Sequence, residues 1–264
     1  MIQHKCNLHY NIYGKGIPVV LVHGFGEDGS IWDNQINFLK DFCKVIVPDL
    51  QGTRSSPLME DKNTLTVEHM ANDIKDLLDQ ENITQCILLG HSMGGYITLA
   101  FAEKYPNYLK GFGLIHSIAY ADNEAKKINR AKGIEIIAEY GGYSFLKNTI
   151  PNLFGAIFKE AFSDAVDELI EKSKLFSNTS LQAYYHAMMV RPDRAFVLKE
   201  SKLPILFIAG TEDIAAPIND VLEQAKLPTT KYLHVLDGVG HMGMWEATKQ
   251  VNEFMLNFIE KLNS

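Results

Sequence analysis

The sequence has few cysteines, no long apolar run and no cluster of basic residues, and each shortage excludes a class of protein. Its three cysteines, Cys6, Cys43 and Cys86, form no C-x-x-C pair and cannot all be joined in disulfides, which is typical of a reducing compartment. No run approaches the roughly 18 apolar residues that a membrane-spanning helix needs. The net charge is −7 and the lysines and arginines are scattered, which argues against a nucleic-acid partner.

Motifs for cofactors and for targeting are also missing. The nine histidines form neither an H-E-x-x-H motif nor a cluster with the cysteines, so we expect no metal. The phosphate-binding pattern G-x-x-x-x-G-K-[ST] is absent, and we expect no cofactor. Residues 1–6 lack the apolar centre of a signal peptide. We therefore expect a cytoplasmic protein, a monomer or small homo-oligomer, that acts on a small molecule and binds neither membranes nor nucleic acid.

The sequence does contain an apolar share of 46%, which is enough for one large core. Short apolar runs predict strands, and amphipathic segments between them predict helices. We predict strands over residues 7–13, 18–22, 44–48, 86–89, 109–115, 203–209 and 231–236, and helices over residues 66–81, 96–105 and 245–261. This alternation predicts an α/β fold with a mostly parallel central sheet flanked by helices.

Residues 119–195 interrupt the alternation. They show helical periodicity at residues 128–140, 158–176 and 181–189 and no convincing strand pattern. We therefore expect a helical cap insertion at 119–195, with residues 1–118 and 196–264 forming the core. Large apolar side chains of the insertion are candidates for lining a pocket, although such residues more often form a core. Tyr184 and Met188, four residues apart and so on one helical face, are the first candidates.

A serine lies between two glycines in the segment Gly90-His91-Ser92-Met93-Gly94, after an apolar run and before a helical pattern. This spacing is typical of a strand that turns sharply into a helix, since glycines on either side let the two elements approach closely. The turn exposes Ser92 Oγ as a nucleophile. It also leaves the Met93 backbone N–H at a helix start, where unpaired donors favour negative charge.

A serine nucleophile needs a base, and the base needs an orienting acid. His241 is the candidate base, because it lies in a glycine-rich loop, residues 237–243, between the last predicted strand and helix. His91 adjoins Ser92, and we interpret it as a supporting residue because neighbouring side chains diverge. His186 lies in the helical insertion and is a candidate for contact with substrate.

Asp213 is the candidate acid because it follows a buried strand end, where the catalytic groups of open α/β sheets collect. Glu212 is its immediate rival. Some relatives of this type place the acid after the preceding strand, but that strand is followed by no carboxylate until Asp122. The segment His23-Gly24-Phe25-Gly26 follows an early strand, and the Phe25 backbone N–H would join that of Met93 as a second oxyanion donor. The alternative is a simple glycine-rich turn.

Together these segments resemble the α/β-hydrolase superfamily, in the subgroup with a helical cap. The matching segments, in family order over nearly the whole chain, are residues 22–26, 48–50, 90–94, 210–217 and 240–241. The order Ser92, Asp213, His241 is that of the family. Residues 49–56 depart from it, because this loop has one glycine fewer than the D-L-x-G-x-G-x-S that relatives often carry.

The resemblance implies a serine hydrolase that cleaves a small carboxylic ester or related acyl compound through an acyl-enzyme intermediate. Ser92 would be the nucleophile, His241 the base and Asp213 the orienting acid, with an oxyanion hole formed by the backbone N–H groups of Phe25 and Met93. A C–C bond hydrolase, lactonase, thioesterase or perhydrolase would use the same triad, so these alternatives stay open. So does a slow-turnover ligand receptor of the same fold.

Overall fold

A seven-stranded sheet lies at the centre of the computed structural model, which describes residues 6–263. The strands are β1 (Tyr10–Tyr13), β2 (Pro18–Val22), β3 (Lys44–Pro48), β4 (Cys86–His91), β5 (Leu109–Ile115), β6 (Ile205–Gly210) and β7 (Lys231–Leu236). Their order is β1-β3-β2-β4-β5-β6-β7. Only β1 pairs antiparallel, so the predicted mostly parallel sheet is confirmed. Residues 1–5, on which the targeting expectation rests, lie outside the described residues.

Strands β2, β3, β5 and β7 begin and end where the sequence predicted. β1 starts at Tyr10 rather than at residue 7, because the preceding residues pair with a loop. The His9 backbone N–H donates to Ser56 Oγ at 2.8 Å, and the His9 carbonyl accepts from the Asp49 N–H at 2.9 Å. β4 continues to His91, which brings the strand directly to Ser92.

Helices cover both faces of the sheet. They are α1 (Asp33–Leu39), α2 (Val67–Gln80), α3 (Met93–Lys104), α4 (Glu124–Tyr140), α5 (Gly142–Thr149), α6 (Ala156–Ala161), α7 (Ser163–Lys172), α8 (Asn178–Val190), α9 (Ala195–Glu200), α10 (Ile218–Gln224), α11 (Gly243–Glu246) and α12 (Thr248–Asn263). Side chains along β4 alternate between two apolar clusters, with Leu88 in one and Leu89 in the other. Helices α2 and α3 pack in the first cluster, and α1 and α12 in the second.

Helix α2 shows how the sequence specifies such a layer. Thr66 caps it, its Oγ1 accepting a hydrogen bond from the His69 backbone N–H at 3.3 Å. The predicted apolar face is confirmed, and its buried members are Val67, Met70, Ala71, Ile74, Leu77 and Leu78. Burial of this stripe against the sheet, more than intrinsic propensity, holds a helix of this length in place.

Between β5 and β6, residues 116–204 contain helices and turns but no strand. We call residues 119–195 the helical segment; α4 packs there against α5 and α8. The prediction of one helix over residues 158–176 is wrong, because α6 and α7 are separated at Phe162, which has φ −132° and ψ 45°. The Phe162 ring lies 4.9 Å from the Phe158 ring, centroid to centroid.

The last predicted helix, over residues 245–261, is also two helices. Ala247, with φ −131° and ψ 43°, separates the short α11 from α12. None of the helices within residues 6–263 is long and apolar enough to cross a membrane.

Candidate active site

Ser92 lies at a sharp turn between β4 and α3. Its φ of 52° and ψ of −116° place it in a strained conformation for a residue with a side chain. A Cβ atom on Gly90 would lie 2.1 Å from the Gly94 carbonyl oxygen, and one on Gly94 would lie 2.3 Å from the Val22 carbonyl oxygen. Backbone packing therefore requires both glycines, and the strand, turn and helix follow the order that the sequence predicted.

The His241 ring faces the carboxylate of Asp213. Nδ1 lies 2.8 Å from Oδ2 and 3.0 Å from Oδ1, so Nδ1 carries a proton and Nε2 is left to accept one. Asp213 Oδ1 also accepts the backbone N–H groups of Ala215 and Ala216, at 2.9 and 2.8 Å. Burial alone would raise the pKa of Asp213, but the neighbouring histidines outweigh burial and hold that pKa well below its usual value.

The loop that carries His241 is held by Glu246, a residue that sequence reasoning missed. The Glu246 carboxylate accepts the backbone N–H groups of Gly240 and Met242, each at 3.0 Å, and that of Gly155 at 2.8 Å. One side chain thus ties the loop to the helical segment. An acidic residue at the start of the last helix was the available signal, but it does not reveal which N–H groups it binds.

The pKa of His241 is raised above its ordinary value of 6.5. Burial alone would lower this pKa, because a charged ring loses its hydration. The negative charges of Asp213, Glu27 and Glu246 outweigh that effect. The site therefore stabilises a positive charge on His241.

The two other carboxylates considered for the acid have different partners. Glu212 accepts the first backbone N–H of α6 at 2.7 Å. Asp122 pairs with Arg130 at 2.5 Å and with Arg191 at 2.8 Å. Within residues 6–263 neither carboxylate is hydrogen-bonded to His241.

His116 is a second histidine on Asp213, and sequence reasoning missed it. It directly follows β5, has a φ of 50° and is completely buried. Its Nδ1 lies 3.1 Å from Asp213 Oδ2. Burial lowers the pKa of His116 despite the aspartate, so the ring is neutral and donates through Nδ1. Its Nε2 has no hydrogen-bond partner within the described chain and packs against Gly243. In the sequence, the signal for His116 was a polar residue directly after a predicted buried strand.

His91 and Glu27 form a buried hydrogen-bonded pair beside His241. His91 Nδ1 lies 2.9 Å from Glu27 Oε2, and His91 Nε2 lies 3.0 Å from the His241 backbone carbonyl oxygen. Burial alone would raise the pKa of Glu27, but the neighbouring His91 outweighs burial and lowers it. His91 thus holds the Glu27 carboxylate and the His241 backbone in one arrangement.

Ser92 and His241 line one cavity of about 410 Å³, a size that suits a small molecule. The loop after β2 contributes Phe25, and α4 and α8 contribute Arg130, Tyr185 and Met188. The cavity therefore lies between the strand ends and the helical segment. His186, considered for substrate contact, is not among the residues that line it.

Three polar groups, at the serine turn and in the loop after β2, have no protein partner in the part of the chain that is described. Ser92 Oγ makes no hydrogen bond, including none to His241; such bonds often tighten only when substrate binds. The backbone N–H groups of Phe25 and Met93 donate to no other residue. The Gly24 N–H, by contrast, is taken by Glu27 at 2.7 Å.

The expectation that Tyr184 lines the cavity is wrong. Tyr184 is completely buried, and its hydroxyl lies 2.6 Å from Thr53 Oγ1 and donates to the Gln51 carbonyl at 2.8 Å. It therefore anchors α8 to the loop at residues 49–56. Its neighbour Tyr185 faces the cavity instead, because one residue along a helix turns the side chain by roughly 100°.

Side-chain atoms of His116, Asp213 and His241 lie within 4.8 Å of one another, the one group in residues 6–263 with the ligand types and spacing for a metal ion. Both histidines donate Nδ1–H to Asp213, whose other oxygen accepts two backbone N–H groups. These hydrogen bonds occupy both Asp213 oxygens and the Nδ1 atoms of both histidines.

Comparison with known proteins identifies the family. Residues 17–134 match a family model described as the alpha/beta hydrolase fold. A thermophilic esterase from Thermogutta terrifontis, solved with malate bound, superposes with a TM-score of 0.92 at 28% identity, covering 97% of this chain and 94% of that one. This chain belongs to the α/β-hydrolase superfamily.

Two relatives of this α/β hydrolase carry other hydrolase names. It is 25% identical to a putative carbamate hydrolase, RutD, of Acinetobacter baylyi, over 92% of both chains. It is 26% identical to 2-hydroxy-6-oxononadienedioate/2-hydroxy-6-oxononatrienedioate hydrolase 2 of Pseudomonas putida, over 96% of this chain and 91% of the relative. The predicted superfamily and fold are confirmed, and the chain is a hydrolase.

Proposed function

We propose that this hydrolase cleaves a small carboxylic ester, or a related acyl compound, through an acyl-enzyme intermediate. One observation carries the proposal. A serine in a strained turn and a histidine bound to a buried, ionised aspartate line the same cavity. No packing requirement explains this combination of groups at the ends of three different strands.

In the first half of the reaction, Ser92 Oγ attacks the carbonyl carbon while His241 Nε2 takes the hydroxyl proton. Asp213 holds the ring through Nδ1 and stabilises the imidazolium. The carbonyl oxygen becomes an oxyanion and accepts hydrogen bonds from the free N–H groups of Phe25 and Met93. His241 then returns its proton to the leaving alcohol as the C–O bond breaks.

In the second half, a water molecule attacks the acyl group on Ser92. His241 takes a proton from this water, a second oxyanion forms in the same place, and the bond to Ser92 breaks as the proton passes back to Oγ. The acid product leaves and the serine is regenerated. The helical segment acts as a cap, because its residues form the wall opposite Ser92 and so determine which acyl groups fit.

A fluorophosphonate probe tests the nucleophile, and Ser92→Ala tests turnover. We expect the probe to label Ser92 alone, and Ser92→Ala to lower hydrolysis of an aryl ester by a factor on the order of 10⁶ without loss of folding. Ser117→Ala is the matched control, because Ser117 Oγ lies 2.7 Å from the Ser92 carbonyl oxygen but is not the proposed nucleophile.

An adduct on Ser117 would contradict Ser92 as the nucleophile, and more than about a tenth of the activity left in Ser92→Ala would contradict its role in turnover. A panel of ester, thioester, lactone and amide substrates then distinguishes the acyl-transfer types. A multiple-turnover assay separates the enzyme from a ligand receptor of the same fold, because a receptor would stop after about one equivalent of product.

A further inference from the structure

One face of helix α4 lines the cavity with nitrogen donors. Lys126, Asn129 and Arg130 all line it, and their spacing of three and four residues places them on the same side of the helix. Two of the three are cations, in a chain whose net charge is −7. This concentration of positive charge on one cavity wall calls for a physical reason.

The charges around Arg130 do not balance. Arg130 Nε donates to Asp122 at 2.5 Å, but Asp122 also pairs with Arg191 at 2.8 Å. The terminal nitrogens of Arg191 are engaged by the protein, because they donate to the carbonyls of Met188 and Tyr120. One carboxylate thus serves two guanidinium groups, which leaves an excess positive charge at Arg130.

Arg130 also retains unused donors. Within residues 6–263 its two terminal nitrogens make no hydrogen bond, although its side chain is only 19% exposed. Lys126 has no ion pair in the described chain, whereas its neighbour Lys127 pairs with Glu124 at 2.9 Å. On the other side of the cavity, the Glu27 carboxylate is hydrogen-bonded to His91 and to the Gly24 N–H rather than to Lys126 or Arg130.

Two ring contacts connect Arg130 to the loop that bears the proposed oxyanion donor. The Arg130 guanidinium carbon lies 5.3 Å from the centroid of the Tyr185 ring. Tyr185 stacks on Phe25, with ring centroids 4.2 Å apart and planes 10° apart. Arg130 and the loop of Phe25 therefore border the same cavity as Ser92, and one molecule bound there can contact both.

We propose that Arg130 and Lys126 form a carboxylate-binding subsite, so that the substrate is a carboxylic ester with a second, ionised carboxyl group on its acyl part. This inference rests on the proposed hydrolase function. A carboxylate matches the fork of the free guanidinium nitrogens, and such charge-assisted hydrogen bonds are strong. The half-esters of short dicarboxylic acids are the substrate class that fits.

The test compares kcat/KM for monomethyl glutarate and for methyl pentanoate, which has the same chain length and no charge. We expect the wild type to prefer the half-ester by roughly 10- to 100-fold. Arg130→Gln and Lys126→Gln should each lower this ratio, and Arg130→Lys should restore part of it. Lys127→Gln removes the same charge from the same helix outside the cavity and should leave the ratio unchanged.

Equal kcat/KM values for the two esters in the wild type would overturn the subsite while leaving the hydrolase function in place. So would an unaltered ratio in both glutamine variants. If Arg130→Gln fails to fold because Asp122 loses a partner, Lys126→Gln carries the test, since it breaks no ion pair in the described structure.

Calorimetry with Ser92→Ala separates the subsite from catalysis. We expect monomethyl glutarate to bind this variant, and the Lys126→Gln change to weaken that binding. If the half-ester binds to Ser92→Ala but the wild type hydrolyses neither ester, the subsite is retained and the hydrolase proposal is overturned. If the wild type hydrolyses methyl pentanoate but Ser92→Ala shows no measurable binding of the half-ester, the hydrolase proposal is retained and the subsite is overturned.

Discussion

The strand ends and helix α4 present charged groups to the same cavity in opposite ways. At the strand ends the two acidic groups beside the serine turn are buried and hydrogen-bonded: Asp213 to two histidines, and Glu27 to His91. On α4, Lys126 has no ion pair in the described chain, and Arg130 uses one donor of five. Balanced, fixed charges suit a reaction that is the same for every substrate. Unbalanced charges suit recognition, since the substrate itself supplies the opposite charge.

Glycines show the same contrast in packing. A Cβ atom on Gly94, beside the serine turn, would lie 2.3 Å from the Val22 carbonyl oxygen, which belongs to the sheet backbone. A Cβ atom on Gly133, in α4, would lie 2.5 Å from the ring of Tyr185. A sheet cannot move for one methyl group, but a tyrosine ring can turn. The first region is therefore rigid where the second is adjustable.

The largest expected effect tests this contrast in stability. Gly94→Ala should destabilise the fold by about 3 kcal/mol, because the new methyl group overlaps backbone atoms, and should lower the melting temperature by roughly 6–12 °C. Gly133→Ala should gain up to about 1 kcal/mol of helix propensity and displace Tyr185. We expect its melting temperature to stay near the wild type while the ranking of substrates changes.

Calorimetric melting curves and a series of esters measure both effects. Equal losses of stability in the two variants would show that the Tyr185 side chain beside Gly133 is as rigid as the backbone beside Gly94. The proposed difference between the two regions would then be wrong. Gly141→Ala does not serve as a control, because Gly141 has a φ of 86° and would be strained whatever the space around it.

The next effect concerns the balance of charge at Asp213. Activity requires a neutral His241, whose pKa is raised above 6.5, so kcat/KM should fall as the pH drops through an inflection above that value. His116→Ala removes a hydrogen-bond donor from Asp213 and leaves more negative charge facing His241. The inflection should then move to higher pH, and kcat should fall by about tenfold, as the carboxylate loses a positioning contact.

His116→Asn is the matched variant. Asparagine tolerates the positive φ at this position, and its side-chain N–H₂ group can replace the Nδ1 donor. It should restore most of the rate and return the inflection toward the wild-type value. If His116→Ala and His116→Asn have the same profile, with lower stability alone, then His116 only fills space in the core.

The fold could be predicted well from the sequence because the fold depends on local patterns: the apolar strands, the apolar face of α2, and the glycines around Ser92. The sequence could not predict pairings set by tertiary packing. His116 contacts Asp213 only after distant segments of the chain meet. Glu246 is close in sequence to the His241 loop, but its hydrogen bond to the Gly155 N–H also depends on tertiary packing. The helix break at Phe162 depends on the local backbone conformation, which the periodicity of apolar residues does not specify.

The smallest expected effect separates two residues of α8 that the sequence placed on one helical face. Tyr184→Phe removes a hydroxyl between Thr53 and the Gln51 carbonyl and leaves a buried acceptor unpaired, which should cost about 1–2 kcal/mol of stability. The chain-length preference should not change.

Met188→Ala shortens a side chain that lines the cavity, so the cavity becomes larger. The preference should shift toward longer acyl groups by about 1–3 kcal/mol. Specificity constants for a series of esters, measured with melting curves, distinguish the two. A shift in chain-length preference in Tyr184→Phe, with none in Met188→Ala, would mean that substrate reaches the loop at residues 49–56 rather than the wall described above.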